Sequence, residues 1–328
     1  MAWVVIALAA LAGCAPTDSS LVVYSSRNEE LIKPVFDIYS EMTGVEISYV
    51  TDDAGPLVER LRAEGANTPA DLLLTVDAGN LWYAAEQDIL RSVDSATLQR
   101  NIPAYLRDEA GRWFGLSLRA RTIVYSKDRV DPGELSTYAA LGDEKWRGRL
   151  CLRTSRKVYN QSLVAMLIAQ DGEARTEQTV RSWVDNLATD VFSNDTALMQ
   201  AMVAGQCDVG IVNSYYFGRL QEKNPEIALA LFWPDQQSSG VHVNVSGAGV
   251  TRHAPHAEKA IAFLEWLSTD VPQRIFAERN HEYPANPAVD PDPLVSAWGE
   301  FKASETPLSK AGELQSAAVR LMDRAGYR

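Results

Sequence analysis

The chain has 328 residues, enough for about two domains. Hydrophobic residues are 46% and charged residues 23%, a balance that excludes disordered, collagen-like and low-complexity classes. With 43 acidic against 31 basic residues, a formal charge of −12 and no run of lysines or arginines, nucleic acid is not an expected partner.

The first informative segment is the apolar run over residues 2–12. It is too short to span a bilayer and has the length of a signal-peptide core that ends in small residues. Leu11-Ala12-Gly13-Cys14 resembles the bacterial lipobox, which implies a signal peptide over 1–13, acylation of Cys14 and export. No lysine or arginine precedes the run, a departure from the usual signal. No later stretch approaches about 18 consecutive apolar residues.

Strands then alternate with helices. Residues 21–25 read as a strand and 28–42 as a helix with Leu31, Val35, Ile38 and Met42 in period; Gly44 stops it and 45–50 is the next strand. The cycle repeats with a helix over 56–64, a strand over 72–75 and a helix from about 80. Further on come a strand at 148–152, a helix at 161–170, a helix at 196–204 capped by Asn194 or Asp195, and a strand at 207–212. This alternation predicts an α/β fold with largely parallel sheets. No linker interrupts the pattern, so two lobes require the chain to cross between them more than once. Residues 123–125 and 241–245 are the candidate crossing strands.

Apart from Cys14, the cysteines are Cys151 and Cys207. Each lies in an apolar β-like run, and in an oxidising compartment such a pair closes into a disulfide between neighbouring strands. Two buried free thiols are the alternative. No CxxC or Cys/His cluster suggests a cysteine metal site.

Ligands of open α/β sheets bind beyond the carboxyl ends of strands. Three such ends carry unusual residues: Ser26-Arg27-Asn28-Glu29, the stretch 154–161 containing Tyr159, and Asn213-Ser214-Tyr215-Tyr216. Each opens a helix, whose free N–H groups favour an anion. A phenolate is also a hard oxygen donor able to ligate ferric iron, with the metal's charge driving deprotonation. The bland readings are packing tyrosines, a solvated Arg27 and a first-turn acid at Glu29 favoured by the helix dipole. Pro255 between His253 and His256 marks a helix start rather than a metal site, and His242 and His281 are isolated. The signatures GxxxxGK[ST], GxSxG, HExxH and strand-linked GxGxxG are missing, so an enzyme is not the reading.

Taken in order, several pieces resemble one family. They are Val23-Tyr24-Ser25-Ser26-Arg27, Pro69-Ala70-Asp71, Thr75-Val76-Asp77-Ala78-Gly79, Arg119-Ala120-Arg121, Val158-Tyr159-Asn160-Gln161, Asn213-Ser214-Tyr215-Tyr216, His242-Val243-Asn244 and Glu282-Tyr283-Pro284. From about residue 21 to 289 the chain resembles the periplasmic ferric-iron-binding proteins of ABC importers. The resemblance implies a two-lobed periplasmic-binding-protein fold with a ligand cleft and two crossing strands. One lobe would comprise 21–122 and 246–290, the other 123–245, with a helical segment at 291–328.

The family's tyrosine ligands fall on Tyr159, Tyr215 and Tyr216. Its first loop often places a histidine and a tyrosine where this chain has Asn28 and Glu29, which are candidates for further metal contacts or for residues just behind the ligands. The resemblance therefore implies the three-tyrosine type, completed by a carbonate-like anion on Arg27, with Arg119 and Arg121 as further candidates. One of those two could instead pair with an acid inside a lobe. The implied cargo is Fe(III), the implied partner an ABC permease in the inner membrane. The implied state is a lipid-anchored periplasmic monomer. The competing readings are a binder of an inorganic anion or polyamine on the same fold and an exported enzyme using Tyr159 or Tyr215.

Overall fold

The computed structural model describes residues 20–328; the expected signal peptide and Cys14 lie outside them. The strands are β1 (Ser20–Ser25), β2 (Glu46–Thr51), β3 (Leu72–Thr75), β4 (Phe114–Ser126), β5 (Leu150–Cys151), β6 (Val209–Asn213), β7 (Leu229–Phe232), β8 (Val243–Val250) and β9 (Tyr283–Pro284). Their order is β2-β1-β3-β8-β4-β6-β5, with β7 and β9 also paired to β4.

Local sequence explains the first unit. Asn28 caps the helix Glu29–Thr43 by accepting the Glu30 N–H at 3.1 Å, and Gly44 ends it in the left-handed region at φ 72°. Ile32, Val35, Phe36 and Tyr39 form its buried face, packed with Leu21 and Val23 of β1 and Phe263 of the helix Ala257–Leu267. Burying a side chain of this size contributes roughly 1.5–3 kcal/mol.

The 13-residue β4 is the pivot. Its first half pairs with β8 as far as Ala120↔Val243, and its second half pairs with β6 from Arg121↔Asn213. The exchange of partners thus falls just ahead of residues 123–125, while β8 returns through part of the expected second crossing, 241–245. The expectation of largely parallel sheets holds only locally. β1 runs parallel to β2 and β3, and β5 to β6, but β8 is antiparallel to β3 and β4, and β4 is antiparallel to β6, β7 and β9. A chain that crosses on one strand and comes back on the next must run those two strands in opposite directions.

β5 and β6 pair through Leu150↔Val209 and Cys151↔Gly210, and a disulfide joins Cys151 to Cys207. The late segment is not a separate tail. Its helix Ser309–Glu313 packs against both the helix Ala78–Glu86 and the helix Val158–Asp171, and its helix Gln315–Arg324 lies along the second of these.

Candidate metal centre

β6 ends at Asn213 and the helix Ser214–Lys223 begins immediately, so Tyr215 and Tyr216 stand in its first turn. Tyr159 is the second residue of the helix Val158–Asp171, which follows β5 after a short loop. Because β5 and β6 are neighbours, the two helix starts open side by side. The Tyr215 hydroxyl donates to that of Tyr159 at 3.5 Å, and the Tyr215 and Tyr216 rings lie 4.3 Å apart. Three phenols therefore converge at two helix N-termini, where the helix dipoles favour negative charge.

Guanidinium groups frame them. Arg119 lies 5.4 Å from the Tyr159 ring centre, and Arg153 lies 5.2 Å from Tyr159 and 5.8 Å from Tyr216. Arg219 lies 5.2 Å from Tyr215 and 5.8 Å from Tyr216. Burial raises the Tyr215 phenol well above its usual range, reinforced by Tyr159 and Tyr216 and opposed by Arg119. Burial thus favours the neutral Tyr215 phenol, and a cation beside it would act in the opposite direction. Among the described residues no cluster of three or more His, Cys, Asp or Glu side chains is placed to hold a metal. Phenol oxygens are thus the concentrated hard donors here.

The opposite wall differs. Arg27 is buried and paired with Glu282 at 3.0 Å, and it donates to Ser117 Oγ at 3.2 Å. Burial works against the Glu282 carboxylate, but Arg27 and Arg119 overcome it and hold its pKa below the usual value. Arg119 donates to the Val76 carbonyl and stands 3.9 Å from Asp77, itself fully buried and pushed up by desolvation. Arg27 Nε and Arg119 Nη1 remain buried without a partner among the described residues. Arg121 is different: its nitrogens reach Asn160, Asp195, Asn213 and the Ile211 carbonyl inside the lobe. That is the acid-paired role the sequence left open for one of the two arginines.

Asn28 serves as the helix cap, and Glu29 is exposed and accepts the Tyr49 hydroxyl at 2.7 Å. His256 lies 3.3 Å from Asp71 and heads the helix Ala257–Leu267. His281 is 3.4 Å from Glu222, and His242 is buried with its pKa pushed down to about 3 by desolvation, Arg121 and Arg119. None of the histidines faces the phenols as a partner in these contacts.

Sequence reasoning missed Arg153 and Arg219. Arg219 was accessible: it follows Tyr215 by four residues, the spacing that stacks side chains on one helix face. Arg153 gave no local signal, since its position depends on Asp195, 3.5 Å away and 42 residues along the chain.

A sheet whose long strand β4 changes partners midway, with the candidate residues gathered at helix starts, is the layout of a two-lobed solute-binding protein. A family model described as bacterial extracellular solute-binding protein matches residues 35–303, and the chain belongs to that family. It is 44% identical over 313 residues to Iron uptake protein A2 of Synechocystis sp., covering 93% of this chain and 89% of that protein. It is 41% identical over 312 residues to Iron uptake protein A1 of the same organism, covering 93% and 87%. The Trichodesmium IdiA (FutA) structure, a complex with iron and citrate ligands, matches with a TM-score of 0.91 and 42% identity over 94% of this chain and 100% of that one.

Proposed function

We propose that this protein captures ferric iron in its cleft and delivers it to an ABC permease of the inner membrane. The observation that carries the proposal is the convergence of Tyr159, Tyr215 and Tyr216 at two adjacent helix starts, framed by guanidinium groups. Names of similar proteins point the same way, since two are iron uptake proteins and one was solved with iron and citrate. Ferric iron is hard and favours oxygen, and three phenolates balance its three positive charges. Arg119, Arg153 and Arg219 stabilise those phenolates as the phenol protons leave.

Three phenolates leave coordination positions open on an ion that favours about six donors. Carbonate, or a polycarboxylate such as citrate, fills them. Among the three candidate arginines we assign the anion to Arg27 and Arg119, whose free buried N–H groups support this, and not to Arg121, which is saturated within its lobe. Asn28 and Glu29 stand as residues beside the site, occupied with capping and with Tyr49.

The working division of the chain is one lobe of 21–122 with 246–290 and another of 123–245, supported by the partner exchange along β4. The segment 291–328 spans both. The location is the periplasm, the protein acts as a monomeric carrier rather than an enzyme, and Cys14 carries the lipid anchor. The test is titration of metal-stripped protein with ferric iron in carbonate-free buffer, with and without added bicarbonate or citrate. An orange-red phenolate-to-iron band, release of about three protons per iron and tighter binding with anion are expected. Protein that stays colourless and retains no iron in either buffer overturns the proposal.

A further inference from the structure

The late segment does more than brace the lobes. The helix Ser309–Glu313 sits so closely on the helix Ala78–Glu86 that a Cβ on Gly312 would lie 2.6 Å from the Trp82 ring. Beyond it, the helix Gln315–Arg324 runs along the helix Val158–Asp171 with Ala318, Leu321 and Met322 buried. Gln315 donates to Gln161 at 3.0 Å, and Arg324 pairs with Glu173 and Glu177 at 2.7 Å.

This path brings the buried Tyr327 beneath the loop that leads from β5 to Tyr159. Its hydroxyl donates to the Arg153 carbonyl at 2.6 Å, and the Arg328 carbonyl accepts the Ser155 N–H at 3.1 Å. The same loop is fixed from inside its lobe. Asn160 Nδ2 donates to the carbonyls of Arg153 and Thr154 at 2.8 and 2.9 Å, and Thr154 N–H donates to the Phe192 carbonyl at 2.8 Å. Arg153 and Tyr159, one guanidinium and one phenol of the proposed centre, stand at the two ends of this loop.

We infer that Tyr327 is a positioning residue for the ferric centre, its hydroxyl setting the height of the Arg153–Tyr159 loop relative to Tyr215 and Tyr216. The inference rests on the ferric reading of the site. Donors that hold a ligand's own support are commonly worth 10–100-fold in metal affinity, and a loop shift of a few tenths of an ångström also changes phenolate–iron overlap. The Tyr327 hydroxyl bonds the Arg153 carbonyl and not a phenol, so its effect must pass through the loop.

Tyr327→Phe is the test, because the ring keeps its packing and the Arg153 carbonyl keeps Asn160 as a donor. Expected are about tenfold weaker ferric binding in competition with citrate, a displaced phenolate-to-iron band, and faster amide exchange at Ser155 and Asn160 in metal-free protein. Arg324→Gln, which loosens the same segment without touching the loop, is expected to leave all three unchanged. Wild-type affinity, band and exchange in Tyr327→Phe overturn the inference, as does an equal loss in Arg324→Gln. Failure of the ferric reading is distinguishable: wild-type protein then holds no iron, while the exchange measurement, made without metal, still decides whether Tyr327 fixes the loop.

Discussion

The two walls of the cleft solve different electrostatic problems. The wall built on β5 and β6 presents three phenols with guanidinium groups packed around them, and its arginines are only partly neutralised, Arg153 by Asp195 at 3.5 Å. The wall built on β1 and β4 presents an arginine already matched, Arg27 with Glu282 at 3.0 Å, each buried. On the proposed reading a trivalent cation is received on the phenol wall, where ionisation would create the compensating charge only when the ion arrives. The other wall carries nearly balanced charge and suits an anion that binds through a few free N–H groups. On the proposed reading cargo and anion meet largely different residues, with Arg119 beside both, so Tyr215 and Arg27 can be altered separately.

Removing a phenol should break the comparison most. Tyr215→Phe or Tyr216→Phe deletes both a ligand and a compensating charge, so ferric affinity should fall by more than the roughly 100-fold that marks the upper range for groups behind a ligand. Colour should vanish with it in a spectrophotometric titration. On the other wall, Arg27→Ala should leave much of the tyrosinate colour while reducing the gain from added bicarbonate by about tenfold, comparable to other supporting groups, whereas Arg119→Gln, which also stands beside Tyr159, should reduce both. Equal anion dependence in both variants and wild type would place the anion elsewhere.

Stability sharpens the contrast further. The disulfide closes a span of 56 residues and ties β5 to the segment just ahead of β6, the two strands that lead into the phenol wall. The chain-entropy model assigns it about 4 kcal/mol. Reduction should lower the denaturant midpoint accordingly, and unfolded, unreduced protein should show no thiol at Cys151 or Cys207. The crossing region has its own signature. His242 is held neutral down to a pKa of about 3, whereas an unfolded histidine takes up a proton near 6.5. The unfolded state then binds more protons between these values, so stability falls as pH drops through 6.5 toward 3. The slope contributed is at most about 1.4 kcal/mol per pH unit. Apo-protein melting between pH 6 and 5 should show it, and His242→Gln should flatten it.

Much of this was legible because it is local. A strand running straight into Ser214-Tyr215-Tyr216, and an amphipathic helix after β1 that Gly44 stops, each declare themselves within a few residues. Arg219 was missed although its spacing of four from Tyr215 was a local signal. The crossing on β4 was legible to within a few residues, at 123–125, but the exact change of neighbour after Ala120 was not, since 114–126 is a nearly continuous buried run whose pattern does not mark it. Nor were the engagement of Arg121 by Asp195 and the approach of Tyr327 to Arg153, whose separations of 74 and 174 residues are closed only by the packed fold.

The central claim is that the phenol wall holds ferric iron, and it is tested most directly by metal analysis of the protein as isolated together with its visible spectrum before and after stripping and ferric reloading. Bound ferric iron, an orange-red tint that disappears on stripping, and its return on reloading are expected. Colourless protein that retains no metal after ferric loading would contradict it.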